Sequence, residues 1–163
     1  MKKTLLLLIL VALAFQGSAQ ITTFILVRHA EKASDGTDDP DLRSEGLERA
    51  GKFAALFKNT SVDAVYSTRY KRTRNTVAPL AQQKGLEVQV YDAAKPETID
   101  AIISKYTGGT VVIGGHSNTI PQIANLLTGK DEYKTFPDTD YGNILIVTVL
   151  ERGKAAKVTW LNY

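Results

Sequence analysis

The sequence predicts an α/β domain on three observations. Short apolar runs rich in β-branched residues alternate with longer segments of helical period. The composition, 44% hydrophobic and 23% charged, is that of a folded globular chain. The last two apolar runs are joined by a short polar connection, which makes them a hairpin.

Strands are expected at Phe24 to Val27, Val62 to Tyr66, Val88 to Tyr91, Thr110 to Ile113, Ile144 to Leu150 and Lys157 to Leu161. The connection Glu151-Arg152-Gly153-Lys154 closes the final pair. A first helix is capped by Ser44 and turns Leu47, Ala50, Ala54 and Phe57 inward. A second runs from about Tyr70 to Gln83 and stops at Gly85, with Pro79 inside it removing one ladder bond and kinking it. A third begins at Pro96 with Ile99, Ile102, Ile103 and Tyr106 on one side. A fourth follows Asn118 and presents Ile120, Ile123, Ala124 and Leu127. Segments 33–40 and 129–142 read as long loops, the kind of segment that often carries function.

The 163 residues divide into a leader at 1–19 and one domain at 20–163. Met1-Lys2-Lys3 precedes an apolar run from Thr4 to Phe15 and then Gly17-Ser18-Ala19, the pattern of a secretory signal with its small-residue cleavage site. That run would reach roughly 18 Å as a helix, short of a hydrocarbon core of about 30 Å. It is expected to be removed, leaving no transmembrane segment, and the protein to be exported, periplasmic or secreted. Cleavage after Ala19 removes two lysines and no acid, so the formal charge of +3 falls toward zero. A near-neutral chain gives no electrostatic case for nucleic acid. With no Cys and two His, neither disulfides, thiolate chemistry nor an ordinary closed zinc site is expected.

Both histidines follow apolar strands and precede a turn or helix: Phe24-Ile25-Leu26-Val27-Arg28-His29 and Val111-Val112-Ile113-Gly114-Gly115-His116-Ser117. The strand ending at Tyr66 runs in the same way into Ser67-Thr68-Arg69-Tyr70-Lys71-Arg72. Open α/β sheets bind ligands at the carboxyl ends of their strands. Three such ends would deliver two imidazoles and several guanidiniums to one rim, with helix N-termini adding partial positive charge. That combination suits an anion, and phosphate best, because guanidinium forks match its oxygens. Taken singly, a His after a strand is more often structural, the basic run 69–74 more often a solvated helix start, and Glu31-Lys32 equally well a surface pair.

Leu26-Val27-Arg28-His29-Ala30-Glu31 resembles the Arg-His-Gly signature of the histidine phosphatase superfamily, the phosphoglycerate-mutase-like proteins, with Ala after His. Ser67 to Thr76 resembles that family's second signature, and Val111 to Ser117 its third. Asp41-Leu42-Arg43-Ser44-Glu45-Gly46 is similar to the family's opening of the first helix, with Arg43 where Thr is usual. The small phosphohistidine-phosphatase-like branch is the nearest match. The resemblance implies a three-layer helix-sheet-helix sandwich with a mainly parallel central sheet and a C-terminal antiparallel hairpin. It also implies His29 as nucleophile, Arg28 and Arg72 as phosphoryl clamps, His116 completing the clamp, and Ser117 beside it.

An unprotonated imidazole attacks phosphorus, and the arginines with a donating His116 stabilise the charge, so neither metal nor other cofactor is expected. For the general acid the resemblance points to Asp92, while Glu31, Asp35 or an acid between Asp138 and Asp140 are alternatives, and Asp92 reads equally as a turn carboxylate. The expected activity is hydrolysis of a phosphomonoester or phosphohistidine, the partner being a small phosphorylated substrate or a phosphoprotein. A mutase-type phosphotransferase and a non-catalytic phospho-ligand module are the competing readings.

Overall fold

The structure, a computed structural model, describes residues 20–163. The leader expected at 1–19 lies outside the described residues. In chain order the elements are β1 (Thr22–Arg28), α1 (Ser44–Leu56), β2 (Ala64–Ser67), α2 (Lys71–Lys84), β3 (Val88–Val90), α3 (Pro96–Lys105), β4 (Thr110–Gly115), α4 (Thr119–Thr128), β5 (Asn143–Glu151) and β6 (Ala155–Asn162). One six-stranded sheet has the order β3-β2-β4-β1-β5-β6. Pairings among β1 to β4 are parallel, whereas β5 is antiparallel to both β1 and β6. The central strand β1 is apolar without alternation because both of its faces are covered.

The period-two alternation of side chains divides the core into two layers. Phe24, Leu26, Val111 and Ile113 face α3 and α4, meeting Ile99, Ile102, Ile120 and Leu127. Ile25, Val27, Val65 and Val112 face α1 and α2, meeting Phe53, Phe57, Val77 and Leu80. Among the described residues no helix is long and apolar enough to cross a membrane.

Two local expectations are corrected. Arg43, not Ser44, stands at the cap of α1, with no side-chain capping bond. Ser44 is the first helical residue, and its hydroxyl donates to the Glu45 carboxylate at 3.1 Å. Leu47 is 57% exposed, because α1 is rotated to bury Gly46, Ala50, Phe53 and Ala54 instead. Gly46 sets that rotation: a Cβ there would overlap the carbonyl oxygen of Glu31. As expected, α2 runs on with Pro79 inside it and ends at Gly85, which is left-handed.

The register positions the rim. Arg28 pairs with Gly115 and Val27 with Gly114 across β1 and β4, while Ser67 of β2 also pairs with Gly114. Adjacent strands lie about 4.8 Å apart, so the residues that follow, His29, His116 and Thr68, leave the sheet side by side.

Candidate active site

His29 is fixed before it meets any ligand. Its backbone N–H donates to the Gly115 carbonyl at 2.9 Å. Its ring Nδ1 lies 2.8 Å from the Ala30 carbonyl, an acceptor only, so Nδ1 carries the proton and Nε2 the lone pair. Ala30 is held in turn by α2: its N–H donates to Thr76 Oγ1 at 2.8 Å, and that hydroxyl donates to the Arg72 carbonyl at 2.7 Å. The strand-end histidine and the helix bearing Arg72 are thereby one hydrogen-bonded unit.

His116 faces His29 edge to face, with ring centroids 5.4 Å apart. Its Nε2 is 3.0 Å from Thr68 Oγ1, and its backbone N–H donates to Thr119 Oγ1 at 2.8 Å. The approach of α4 to β4 depends on Gly115, where a Cβ would lie 2.7 Å from Thr119 Oγ1 and 2.8 Å from Ile120 Cδ1. Desolvation pushes His29 down to about 3, aided by the charges of His116, Arg28 and Arg72 and opposed by its bond to Ala30. Desolvation, then the Arg72 and Arg28 charges, push His116 down to about 4. Both imidazoles are therefore neutral at neutral pH in this state. A bound dianion shifts His116 back toward its protonated, doubly donating form.

The two arginines are held differently. Arg28 is 3% exposed, and its terminal nitrogens donate to the carbonyls of Pro137 (2.7 Å), Asp140 (2.8 Å) and Asp138 (3.1 Å), while the guanidinium carbon lies 4.4 Å from the centroid of the Tyr141 ring. Arg28 thus fastens the 137–141 segment over the site as well as lining it. Arg72 stacks on Tyr70 at 4.5 Å and lies 3.9 Å from the Asp39 carboxylate. The Nε of each arginine is buried without a hydrogen-bond partner, and both side chains line the same cavity. Unpaired buried donors are costly, and an oxyanion in that cavity would satisfy them.

The cavity has a volume of about 390 Å³ and brings together the expected His29, Arg28, Arg72, His116 and Ser117. It also takes in Lys32, Tyr70, Asn118, Asp138 and Tyr141, which the motifs did not assign to the anion. Tyr70 lay in plain sight between strand and helix. Tyr141 sits at the end of a loop without periodicity, so no sequence signal could have brought it here.

Asp92 does not line this cavity. It lies in the turn before α3, where its carboxylate accepts from the Ala94 N–H at 3.0 Å and pairs with Lys95 at 3.7 Å. It borders an adjoining cavity that shares Tyr70, His116 and Asn118 with the first. The alternative Glu31 is engaged elsewhere, since Arg49 grips both of its oxygens at 2.7 to 3.0 Å and holds its carboxyl below the usual range. Asp35 is tied to the Thr37 hydroxyl and N–H in an exposed turn. Asp138 reaches the cavity beside Arg28, at 3.9 Å. Arg69 lines the adjoining cavity, and Arg74 is exposed on α2. Among the described residues no group of three or more His, Cys, Asp or Glu could hold a metal ion.

Residues 24–95 match the family model of the histidine phosphatase superfamily (branch 1). Phosphoserine phosphatase 1 of Hydrogenobacter thermophilus is 39% identical over 70 residues, which cover 39% of this chain and 33% of that protein. The match therefore spans about a third of the curated relative. Among solved structures, the mycobacterial glucosyl-3-phosphoglycerate phosphatase superposes with a TM-score of 0.73 at 12% identity, over 88% of this chain and 99% of that one. The protein histidine phosphatase SixA, complexed with tungstate, gives 0.70 at 17% identity over 86% and 96%. A phosphoserine phosphatase from Entamoeba histolytica, in complex with phosphoserine, gives 0.68 at 16% identity over 85% and 95%. At these identities the structural likenesses establish the fold, a six-stranded mixed sheet between helical layers.

Proposed function

We propose that this chain, whose residues 24–95 match the family model of the histidine phosphatase superfamily (branch 1), belongs to that superfamily and is a phosphatase acting through a covalent phosphohistidine on His29. The observation that carries the reading is the fixed tautomer: Ala30 accepts the Nδ1 proton, so the Nε2 lone pair is available in a cavity that also holds two buried, unpartnered guanidinium Nε atoms.

In the first half-reaction the phosphoryl group binds among Arg28, Arg72 and His116, with Ser117 beside them. His29 Nε2 forms a bond to phosphorus as the bond to the leaving oxygen breaks. The electron pair of that bond stays on the leaving oxygen, which for an alkyl ester takes a proton. Asp92, bordering the adjoining cavity, is the acid assigned to it. In the second half-reaction water attacks phosphorus, the N–P bond breaks and its electrons return to Nε2, while Asp92 accepts the proton of the water. The guanidiniums neutralise charge that develops on the equatorial oxygens, and they are oriented before reaction, so no reorganisation opposes them. A neutral His29 requires no neighbouring base, since burial keeps its Nε2 unprotonated.

The substrates of this reading are phosphomonoesters or phosphohistidine, as in the small phosphohistidine-phosphatase-like branch. Export follows from the leader at residues 1–19, whose two lysines, apolar run and small residues before position 20 support it. The test is phosphate release from para-nitrophenyl phosphate and from phosphohistidine by the purified protein. His29→Ala is expected to abolish it. Absence of turnover in the intact protein from pH 5 to 8, with phosphate still bound, would leave a binding module instead.

A further inference from the structure

The anion cavity is not closed on the side of His116. It continues into a second cavity of about 900 Å³, the two sharing Tyr70, His116 and Asn118. A serine or glycerate group would occupy a small fraction of that space. One wall is apolar: Val90, 60% exposed at the end of β3, with Tyr91, Ala93 and Ala94 in the turn that follows. Beyond it a hollow of about 330 Å³ shares Tyr91, Ala93, Ala94 and Gln122 and adds Pro96, Ile99, Ile123 and Leu126. Through these shared residues the three spaces adjoin one another in a row that leads away from the nucleophile, a trough in outline.

Charge is divided along it. The phosphoryl end holds Arg28, Lys32 and Arg72 against Asp138. In the second cavity Asp92 is paired by Lys95 from the edge of the third, and Arg69 adds a further cation. Arg69 itself lies over the Tyr70 ring at 5.5 Å. An uncharged hydrocarbon body covers Val90, Ala93 and Ala94 and, if long enough, reaches Ile123 and Leu126.

Resting on the phosphatase reading above, we propose that this trough is a leaving-group site, and that it selects phosphomonoesters with an apolar body of about six carbons or more over those with a short alkyl body. The turn before α3 and the exposed edge of α4 at Gln122 are the specificity-determining elements.

The test compares kcat/KM for ethyl phosphate and hexyl phosphate. The two alkyl esters have equally poor leaving groups, so their ratio reports the trough and not the chemistry. Four additional methylenes, half covered in an open trough, are expected to favour hexyl phosphate by about 15-fold. Ala94→Trp fills the trough at its middle and is expected to lower that ratio at least about fivefold. Gln122→Trp does so from α4, giving an independent variant should the turn not accept the indole. A wild-type ratio near one overturns the proposal while leaving the phosphatase reading standing. Release of phosphate from neither ester, nor from para-nitrophenyl phosphate, removes that reading and the trough with it.

Discussion

Thr76 never touches the anion cavity, yet replacing it by Val is expected to damage both stability and turnover. Its hydroxyl is fully buried, accepts from the Ala30 N–H and donates to the Arg72 carbonyl. Valine keeps the shape and removes the oxygen, leaving the Ala30 N–H buried without a partner. That loss costs about 2 kcal/mol, which for a domain of this size lowers Tm by about 6 °C. The catalytic effect comes from Ala30 itself, whose carbonyl fixes the His29 tautomer and ring. A displacement of the nucleophile approaching ~1 Å costs up to about 100-fold in rate, so kcat is expected to fall 10- to 100-fold. Urea unfolding followed by circular dichroism gives the first quantity, and para-nitrophenyl phosphate turnover at a temperature where both proteins are folded gives the second. Thr76→Ser, which keeps the hydroxyl, is expected to recover most of both. A valine variant within about 0.5 kcal/mol and about twofold of wild type would show that this bridge does not position His29.

Arg72→Lys keeps the charge but loses the planar fork and its stacking on Tyr70, and is expected to reduce kcat/KM about 100-fold; an unchanged rate would move the clamp to another residue. Asp92→Asn is expected to slow alkyl phosphates at least about tenfold while sparing para-nitrophenyl phosphate, whose leaving group needs little protonation; equal effects on both would remove Asp92 from proton transfer. The histidines also predict a pH dependence of stability. Unfolded imidazoles protonate near ~6.5, whereas His29 and His116 in the folded chain resist protonation until about 3 and about 4. The unfolded chain thus binds more protons in that window. Stability is complete above pH ~6.5 and falls with pH by up to about 1.4 kcal/mol per unit for each histidine. A His29→Gln, His116→Gln double variant is expected to lose that slope between pH 5 and 6.5, measured by urea unfolding, and an unaltered slope would show that both imidazoles are solvated.

Much of the site was legible because the chemistry sits where periodicity ends. Arg28 and His29 follow a continuous apolar run, His116 follows another, and parallel pairing in register brings their ends together. The apolar faces of α3 and α4 are legible for the same reason: Ile99, Ile102, Ile120 and Leu127 are buried at helical spacing. Leu47 misled because hydrophobicity does not encode rotation about a helix axis, which here follows from the close contact of Gly46 with Glu31. The role of Arg28 as a fastener of segment 137–141 was illegible, since its partners are main-chain carbonyls more than a hundred residues away. Glu31 illustrates the converse. As a sequence neighbour of His29 it invited a role as acid, but its oxygens are committed to Arg49, a helix-borne partner that sequence alone does not select.

The chemistry attributed to His29 can be caught directly by rapid acid-free quench of the protein with an excess of para-nitrophenyl phosphate, followed by mass spectrometry of its peptides. The account predicts one phosphoryl group, stable in base and labile in acid, on the peptide that contains His29 and bonded through Nε2. Phosphate released in a burst-free reaction with no modified peptide, or a phosphoryl group found on His116, would contradict it.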